Sequence, residues 1–207
     1  MNVSTAALLG FDEAPPPPVV PLGFLGIDPG LQGFVFFMSP SGYETFPVPT
    51  ISLGRGKRRY DLPAVRNLTL SFRGRVSLTL IERQQAMPQN GVLGNFMTGY
   101  GYGLWEMALT AAGISYQSIR PQAWKKAMGV SPPPSTDKRK AKDLTAKERR
   151  DRSKQRRKVA KALAVSAAQH LFPGVDLRRS ERCRVLDDNK CEAALLAELA
   201  RRLHAGR

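Results

Sequence analysis

Two short apolar runs, Phe24-Leu25-Gly26-Ile27 and Phe34-Val35-Phe36-Phe37, each break into turn residues: Asp28-Pro29-Gly30 after the first and Ser39-Pro40-Ser41-Gly42 after the second. Aromatic and β-branched runs this short, closed by Gly, Pro and Ser, read as buried strands joined by tight turns. Tyr43–Val48 reads as a third strand. Val76–Ile81 alternates apolar and polar residues and then turns wholly apolar, as a strand entering a buried sheet does. The chain therefore starts from a sheet, and the helices must cover it.

Tyr60–Phe72 and Asn95–Ala112 read as helices, Ile114–Ile119 as a strand, and Ala123–Met128 as a short helix. Val159–Leu171 and Asp188–Leu203 carry the amphipathic spacing of helices, the second with Leu196, Leu199 and Leu203 on one face. Strands first, with helices interleaved and later, indicate an α/β domain with a mixed sheet. Residues 1–21 stand apart. They hold two acids, no Lys or Arg, and the run Pro15–Pro18, which reads as a disordered leader ahead of one domain at 22–207.

Charge narrows the partner. The 207 residues hold 32 Lys and Arg against 17 Asp and Glu, a formal net charge of +15. A domain this basic repels itself, and a polyanion is the usual compensation. Asp137–Lys158 alone carries twelve of the basic residues against four acids, so phosphate binding is the expected role of Lys138, Arg139, Lys140, Arg149, Arg150, Arg156, Arg157 and Lys158. Together with Ser131–Ser135 before it, this block reads as a basic, mobile insertion at about 131–158. Arg178, Arg179, Arg182 and Arg184 are a second candidate clamp. Two cysteines, Cys183 and Cys191, and two histidines exclude a disulfide framework and leave poor material for a Cys/His metal site. No apolar run reaches the roughly 18 residues of a membrane span.

In so basic a chain the carboxylates in apolar settings need a reason. Asp28 follows four apolar residues at a strand end, where it can also serve as a turn aspartate. Glu82 closes the run Leu80-Ile81-Glu82-Arg83. Asp188 and Glu192 stand one helical turn apart, next to Asp187, although Asn189 three before Glu192 also reads as a capping box. Taken together, two strand-end acids and a helical pair can converge, which costs energy unless a cation lies between them. Ligation by oxygen alone points to Mg²⁺ or Mn²⁺, and two such ions support phosphodiester hydrolysis. The basic surface would hold the nucleic acid and the acids would hold the metals.

Gly26-Ile27-Asp28-Pro29-Gly30, Ile81-Glu82-Arg83, Pro121-Gln122-Ala123-Trp124-Lys125-Lys126 and Asp188-x-x-x-Glu192-Ala193, in that order, resemble the RuvC family of Holliday-junction resolvases, above all its divergent phage-like and plastid-type members. The resemblance spans roughly residues 23 to 203. It implies an RNase H-like fold, a mixed five-stranded sheet flanked by helices, with Asp28, Glu82, Asp188 and Glu192 binding two Mg²⁺ and Asp187 a possible substitute for Asp188. It implies a homodimer that binds four-way DNA junctions in the cytoplasm or nucleoid, with a phage origin open, and nicks two strands symmetrically. Its dimer interface would fall on the glycine-rich helix, with Gly99 and Gly103 on one face. Bacterial members space the final acids three apart rather than four, and place an aromatic wedge near the position of Gln85, where this chain has none.

For DNA contact the loop after Glu82 offers Arg83, Gln84, Gln85, Met87, Gln89 and Asn90, and the short helix offers Lys125 and Lys126, of which only one can face inward. Two other readings stay open at this point. One is an RNase H-like nuclease acting on RNA or hybrids as a monomer; the other is a junction-binding module without catalysis.

Overall fold

The computed structural model describes residues 22–87, 90–134 and 143–206. The leader at 1–21 and, among the candidate contacts, Gln89, Lys138, Arg139 and Lys140 lie outside the described residues. Among the described residues are seven strands and five helices: β1 (Gly23–Ile27), β2 (Phe34–Ser39), β3 (Gly42–Pro47), β4 (Thr50–Ser52), β5 (Arg58–Tyr60), α1 (Leu62–Ser71), β6 (Val76–Glu82), α2 (Gly91–Ala111), β7 (Tyr116–Ile119), α3 (Pro121–Ala127), α4 (Ala146–Leu171) and α5 (Asp188–Ala205). Five strands form one mixed sheet in the order β3-β2-β1-β6-β7. The β1–β2 and β2–β3 pairs are antiparallel, whereas β6 runs parallel to both β1 and β7. This is the expected α/β class with an RNase H-like sheet.

Strand alternation divides the core in two. Phe34, Phe36, Met38, Leu78 and Leu80 face α3, α4 and α5, packing with Trp124, Ala164, Leu195 and Leu196. Leu25, Ile27, Val35, Phe37 and Ile81 face the other way, toward α1 and α2, where they meet Val65, Trp105 and Leu109. Buried on both faces, these strands read as near-continuous apolar runs, as parallel sheet neighbours do.

Two elements differ from the expectation. The basic block does not wait until Val159 to become helical, because α4 begins at Ala146. Thr145 and Glu148 close a reciprocal capping box, the Thr145 N–H donating to Glu148 Oε2 at 2.8 Å and the Glu148 N–H to Thr145 Oγ1 at 3.2 Å. Lys, Arg, Glu and Gln are good helix formers, so a lack of apolar residues does not mean a lack of helix. No side chain from Ala146 to Lys158 is buried, whereas Ala160, Ala164 and Ala168 beyond them are. The second difference is the β4–β5 hairpin, a separate two-stranded sheet that no apolar pattern in the sequence announces. No helix among the described residues is long and apolar enough to cross a membrane.

Candidate active site

The parallel register sets Ile27 of β1 beside Ile81 of β6, so Asp28 and Glu82 sit together at the carboxyl ends of adjacent strands. Crevices at such strand ends are where open α/β sheets bind ligands. The Asp28 N–H donates to the Phe34 carbonyl at 3.0 Å, and Oδ1 accepts from the Gly30 N–H at 3.2 Å. Asp28 is thus also the turn aspartate of its own loop.

The other acids arrive on α5, which lies directly across β1. Gly26 makes this possible, since a Cβ there would stand 2.0 Å from the Ala193 carbonyl oxygen and 2.4 Å from the Ala197 nitrogen. Only glycine lets strand and helix backbones approach so closely. Asp187 and Asp188 take different roles. Asp187 is the N-cap of α5, its Oδ1 accepting from the N–H groups of Asn189 and Lys190 at 3.0 and 3.2 Å, and its Oδ2 pairs with Arg179 at 2.5 Å. The cap is therefore Asp187, and the capping box read on Asn189 does not form. Asp188, in the first turn, pairs with Lys161 of α4.

The four acids share one electrostatic environment. Burial first, and then the charges of Glu192 and Asp188, push the Asp28 carboxyl up to about 6 against the opposing pull of the Gly30 N–H. Burial, Glu192 and Asp28 push Glu82 up to about 7, opposed by Trp124 and Lys125. Trp124, wholly buried, donates its indole N–H to Glu82 Oε2 at 2.6 Å. Lys125 Nζ pairs with Glu192 Oε1 at 2.7 Å and lies 4.9 Å above the Trp124 ring. Helix α3 therefore supplies a neutral donor to one carboxylate and a cation to the next, while Lys126 is exposed. Sequence reasoning reaches neither Trp124's bond nor Lys161's. Position beside Lys125 is the only local sign of the first, and nothing in the spacing marks the second.

The remaining candidates scatter. Gln84 lines a cavity of about 220 Å³ with Pro29, Gly30, Tyr60, Met97 and Thr98. Arg83, Gln85 and Met87 are exposed, and the Met87 backbone is bracketed by the Asn95 side chain at 2.9 and 3.1 Å. Asn90 is the N-cap of α2, with no side-chain capping bond. Arg150, Arg157 and Lys158 lie exposed along α4, and exposed Arg149 and Arg156 donate to the carbonyls of Leu144 and Pro133. Arg178 and Arg179 are committed to Asp176 and Asp187 rather than forming an open clamp. A Cβ at Gly99 or Gly103 would meet nothing within 4 Å, so no described part of this chain packs on them; the glycine that does receive a neighbour is Gly101, against the Tyr60 hydroxyl.

Among the described residues no three His, Cys, Asp or Glu side chains are drawn together closely enough to hold an ion. The donor set nonetheless fits a hard divalent cation. It is all oxygen, two of its members hold raised proton affinities through burial and mutual repulsion, and ammonium groups rest on the other two.

No protein-family model matches the chain, and no curated protein resembles it in sequence. Among solved structures it is similar to T. thermophilus RuvC in complex with a Holliday junction substrate, at 15% identity and a TM-score of 0.51, over 89% of this chain and 95% of that one. The chain has the RuvC fold. It is also similar to Thermus thermophilus RuvC alone, at 16% identity and a TM-score of 0.45 over 87% and 96% of the two chains. A third similar structure is the yeast mitochondrial Holliday junction resolvase Ydc2, at 15% identity and a TM-score of 0.41 over 97% and 90%. On this RuvC fold the acids come from three separate stretches, Asp28 after β1, Glu82 ending β6, and Asp188 with Glu192 opening α5.

Proposed function

We propose that residues 22–207 form a metal-dependent endonuclease that binds four-way DNA junctions as a homodimer and nicks two strands symmetrically. What supports this reading is a RuvC fold on which Asp28 and Glu82 end adjacent parallel strands while Asp188 and Glu192 open α5, the helix packed across β1, within a chain of net charge +15. These four residues would hold two Mg²⁺, with Mn²⁺ as a substitute. Asp187, spent on the cap and on Arg179, is not in the set.

Bound divalent ions would lower the pKa of water and offset charge building on the phosphate oxygens. The chain's own groups do the rest. Trp124 fixes one oxygen of Glu82 and so orients its carboxylate. Lys125 and Lys161, resting on Glu192 and Asp188, neutralise the acids in the metal-free protein. With the carboxylates engaged by divalent ions, both ammonium groups would be free to meet the phosphate backbone beside the scissile bond. The exposed basic half of α4 begins next to Lys161 and would carry an arm of the DNA away from the site.

Self-association is assigned to α2. Val92, Phe96, Gly99, Gly103 and Met107 fall on one exposed stripe at helical spacing, with Val92 91% and Phe96 and Met107 each 65% exposed. A stripe this apolar fits a second copy of the same helix, and the two glycines would let the backbones approach. A homodimer would also provide one site for each of the two nicked strands.

The test is cleavage in Mg²⁺ of a labelled four-way junction, a matching duplex and an RNA/DNA hybrid. Paired nicks in the junction at rates well above those on the others are expected. Equal cutting of hybrid or duplex would overturn the junction reading. Binding without cleavage in either Mg²⁺ or Mn²⁺ would reduce the chain to a junction-binding module.

A further inference from the structure

The β4–β5 hairpin is the part of the molecule that neither the sequence motifs nor the proposed chemistry uses. Between its strands runs Gly54-Arg55-Gly56-Lys57, with backbone φ of 79° at Gly54, 49° at Arg55 and 74° at Gly56. Three successive left-handed residues make a tight reversal, closed by Leu53 N–H to Lys57 O at 2.9 Å and Lys57 N–H to Gly54 O at 3.0 Å. Glycines on both sides of the tip make this turn accessible and leave no Cβ there to obstruct a ligand.

Arg55, Lys57, Arg58 and Arg59 are all exposed. Among the described residues none of the four is paired with a carboxylate; the polar contact Arg58 makes is with Thr50 Oγ1, at 3.4 Å. Four uncompensated cations within five residues repel one another, and on such a turn nothing in the fold requires them. Among the described residues nothing compensates them, and a ligand whose negative charges are closely and regularly spaced would.

The hairpin is also fixed relative to the carboxylates. Tyr60 ends β5 and is only 5% exposed. Its hydroxyl donates to the Pro29 carbonyl at 3.0 Å, one residue from Asp28, and its ring sits where a Cβ on Gly101 would be. Its base is thereby tied to the catalytic turn and to α2. Five residues of strand and turn from Tyr60 to Arg55 extend at most about 17 Å, about five base-pair steps along one strand of duplex.

We propose that the β4–β5 hairpin is a phosphate-binding surface that grips a duplex arm of the substrate next to the carboxylates, through Arg55, Lys57, Arg58 and Arg59. An acidic protein could match the charge alone. The rigid tie to the catalytic turn favours nucleic acid, because whatever lies on the hairpin also lies beside the acids. The proposal rests on the reading of the chain as a protein acting on DNA, and goes beyond the contacts assigned to α3, α4 and the loop after Glu82.

The experiment compares the full chain with Arg55→Gln/Lys57→Gln and with a charge-matched control, Arg66→Gln/Arg73→Gln. The control residues are exposed, and Arg73 lies near the start of β6, at the opposite end of the sheet from Glu82. Binding of a labelled four-way junction and of a labelled duplex is followed by fluorescence anisotropy in EDTA across a salt series. The hairpin variant should lower the slope of log affinity against log salt by about 1 per lost contact, about 2 in all, and weaken binding about tenfold or more at about 150 mM salt. The control should leave the slope in place. Unchanged slope in the hairpin variant, or the same loss in the control, would overturn the proposal. If wild type binds junction and duplex alike while the hairpin variant still loses slope on both, the junction reading fails and the hairpin proposal stands.

Discussion

Replacing Gly26 by alanine tests the geometry on which the site depends. The added methyl would stand 2.0 Å from the Ala193 carbonyl oxygen, 2.4 Å from the Ala197 nitrogen and 2.9 Å from Leu196 Cβ. The first two are helix backbone atoms and cannot rotate away. Relief to ordinary van der Waals separation, near 3.4 Å, requires α5 to shift by about 1 Å or more. Overpacking of this kind costs about 1–3 kcal/mol, and more where the backbone itself must move. In a domain of this size each 1 kcal/mol lowers the melting temperature by about 2–4 °C, so a fall of about 5–10 °C is expected by calorimetry. Activity should suffer more than stability. Glu192 and Asp188 ride on α5, and a 1 Å misplacement of reacting groups costs roughly 100-fold in rate. Single-turnover cleavage of a junction in Mg²⁺, at a temperature where the variant is fully folded, separates the two effects. A Gly26→Ala protein with wild-type melting and wild-type rate would refute the claim that close approach of β1 and α5 assembles the carboxylates.

Other outcomes follow from the same geometry. Asp28 and Glu82 hold pKa values near 6 and 7, above those of the unfolded chain, so the folded state binds the extra protons. Metal-free stability should therefore fall as pH rises from about 4 to 7, and saturating Mg²⁺ or Asp28→Asn should flatten that slope in melting curves across pH. Trp124→Phe keeps the buried ring and removes the N–H that meets Glu82 at 2.6 Å, a bond to a charged group worth about 1.5–3 kcal/mol. The variant should bind Mn²⁺ at least about tenfold more weakly by titration calorimetry, and unchanged affinity would remove Trp124 from any positioning role. Phe96→Glu places a charge on the exposed stripe of α2 and should halve the sedimentation mass while leaving the melting temperature of the monomer within about 2 °C.

Where the chemistry is local, much of this is legible in the sequence. Strands β1 and β6 end within a residue of the positions their apolar runs predict, so the residue pattern alone places Asp28 and Glu82 at strand ends. The amphipathic spacing of 188–203 marks α5 and the i, i+4 relation of Asp188 and Glu192. The hairpin is not legible, because its strands are three residues each and mostly polar, with no apolar alternation to reveal them. The early start of α4 escapes a reading based on apolar content, because its signal is a cap and a propensity. Gly99 and Gly103 draw attention through their spacing, yet within the chain it is Gly101 that needs to be glycine, and only the position of Tyr60 shows it.

The sequence by itself determined which acids stand at strand ends, which share one helical face, and that a polyanion was the partner to expect. Each of these follows from neighbours along the chain or from summed charge. Only the tertiary structure decided what each acid touches. Lys125 reaches Glu192 across 67 residues of sequence and Trp124 reaches Glu82 across 42. The different partners of Asp187 and Asp188, Arg179 for one and Lys161 for the other, turn on which way the first turn of α5 faces once Gly26 has let the helix down onto β1. That distance and orientation come from packing two backbones against one another, and no periodicity in either segment encodes them.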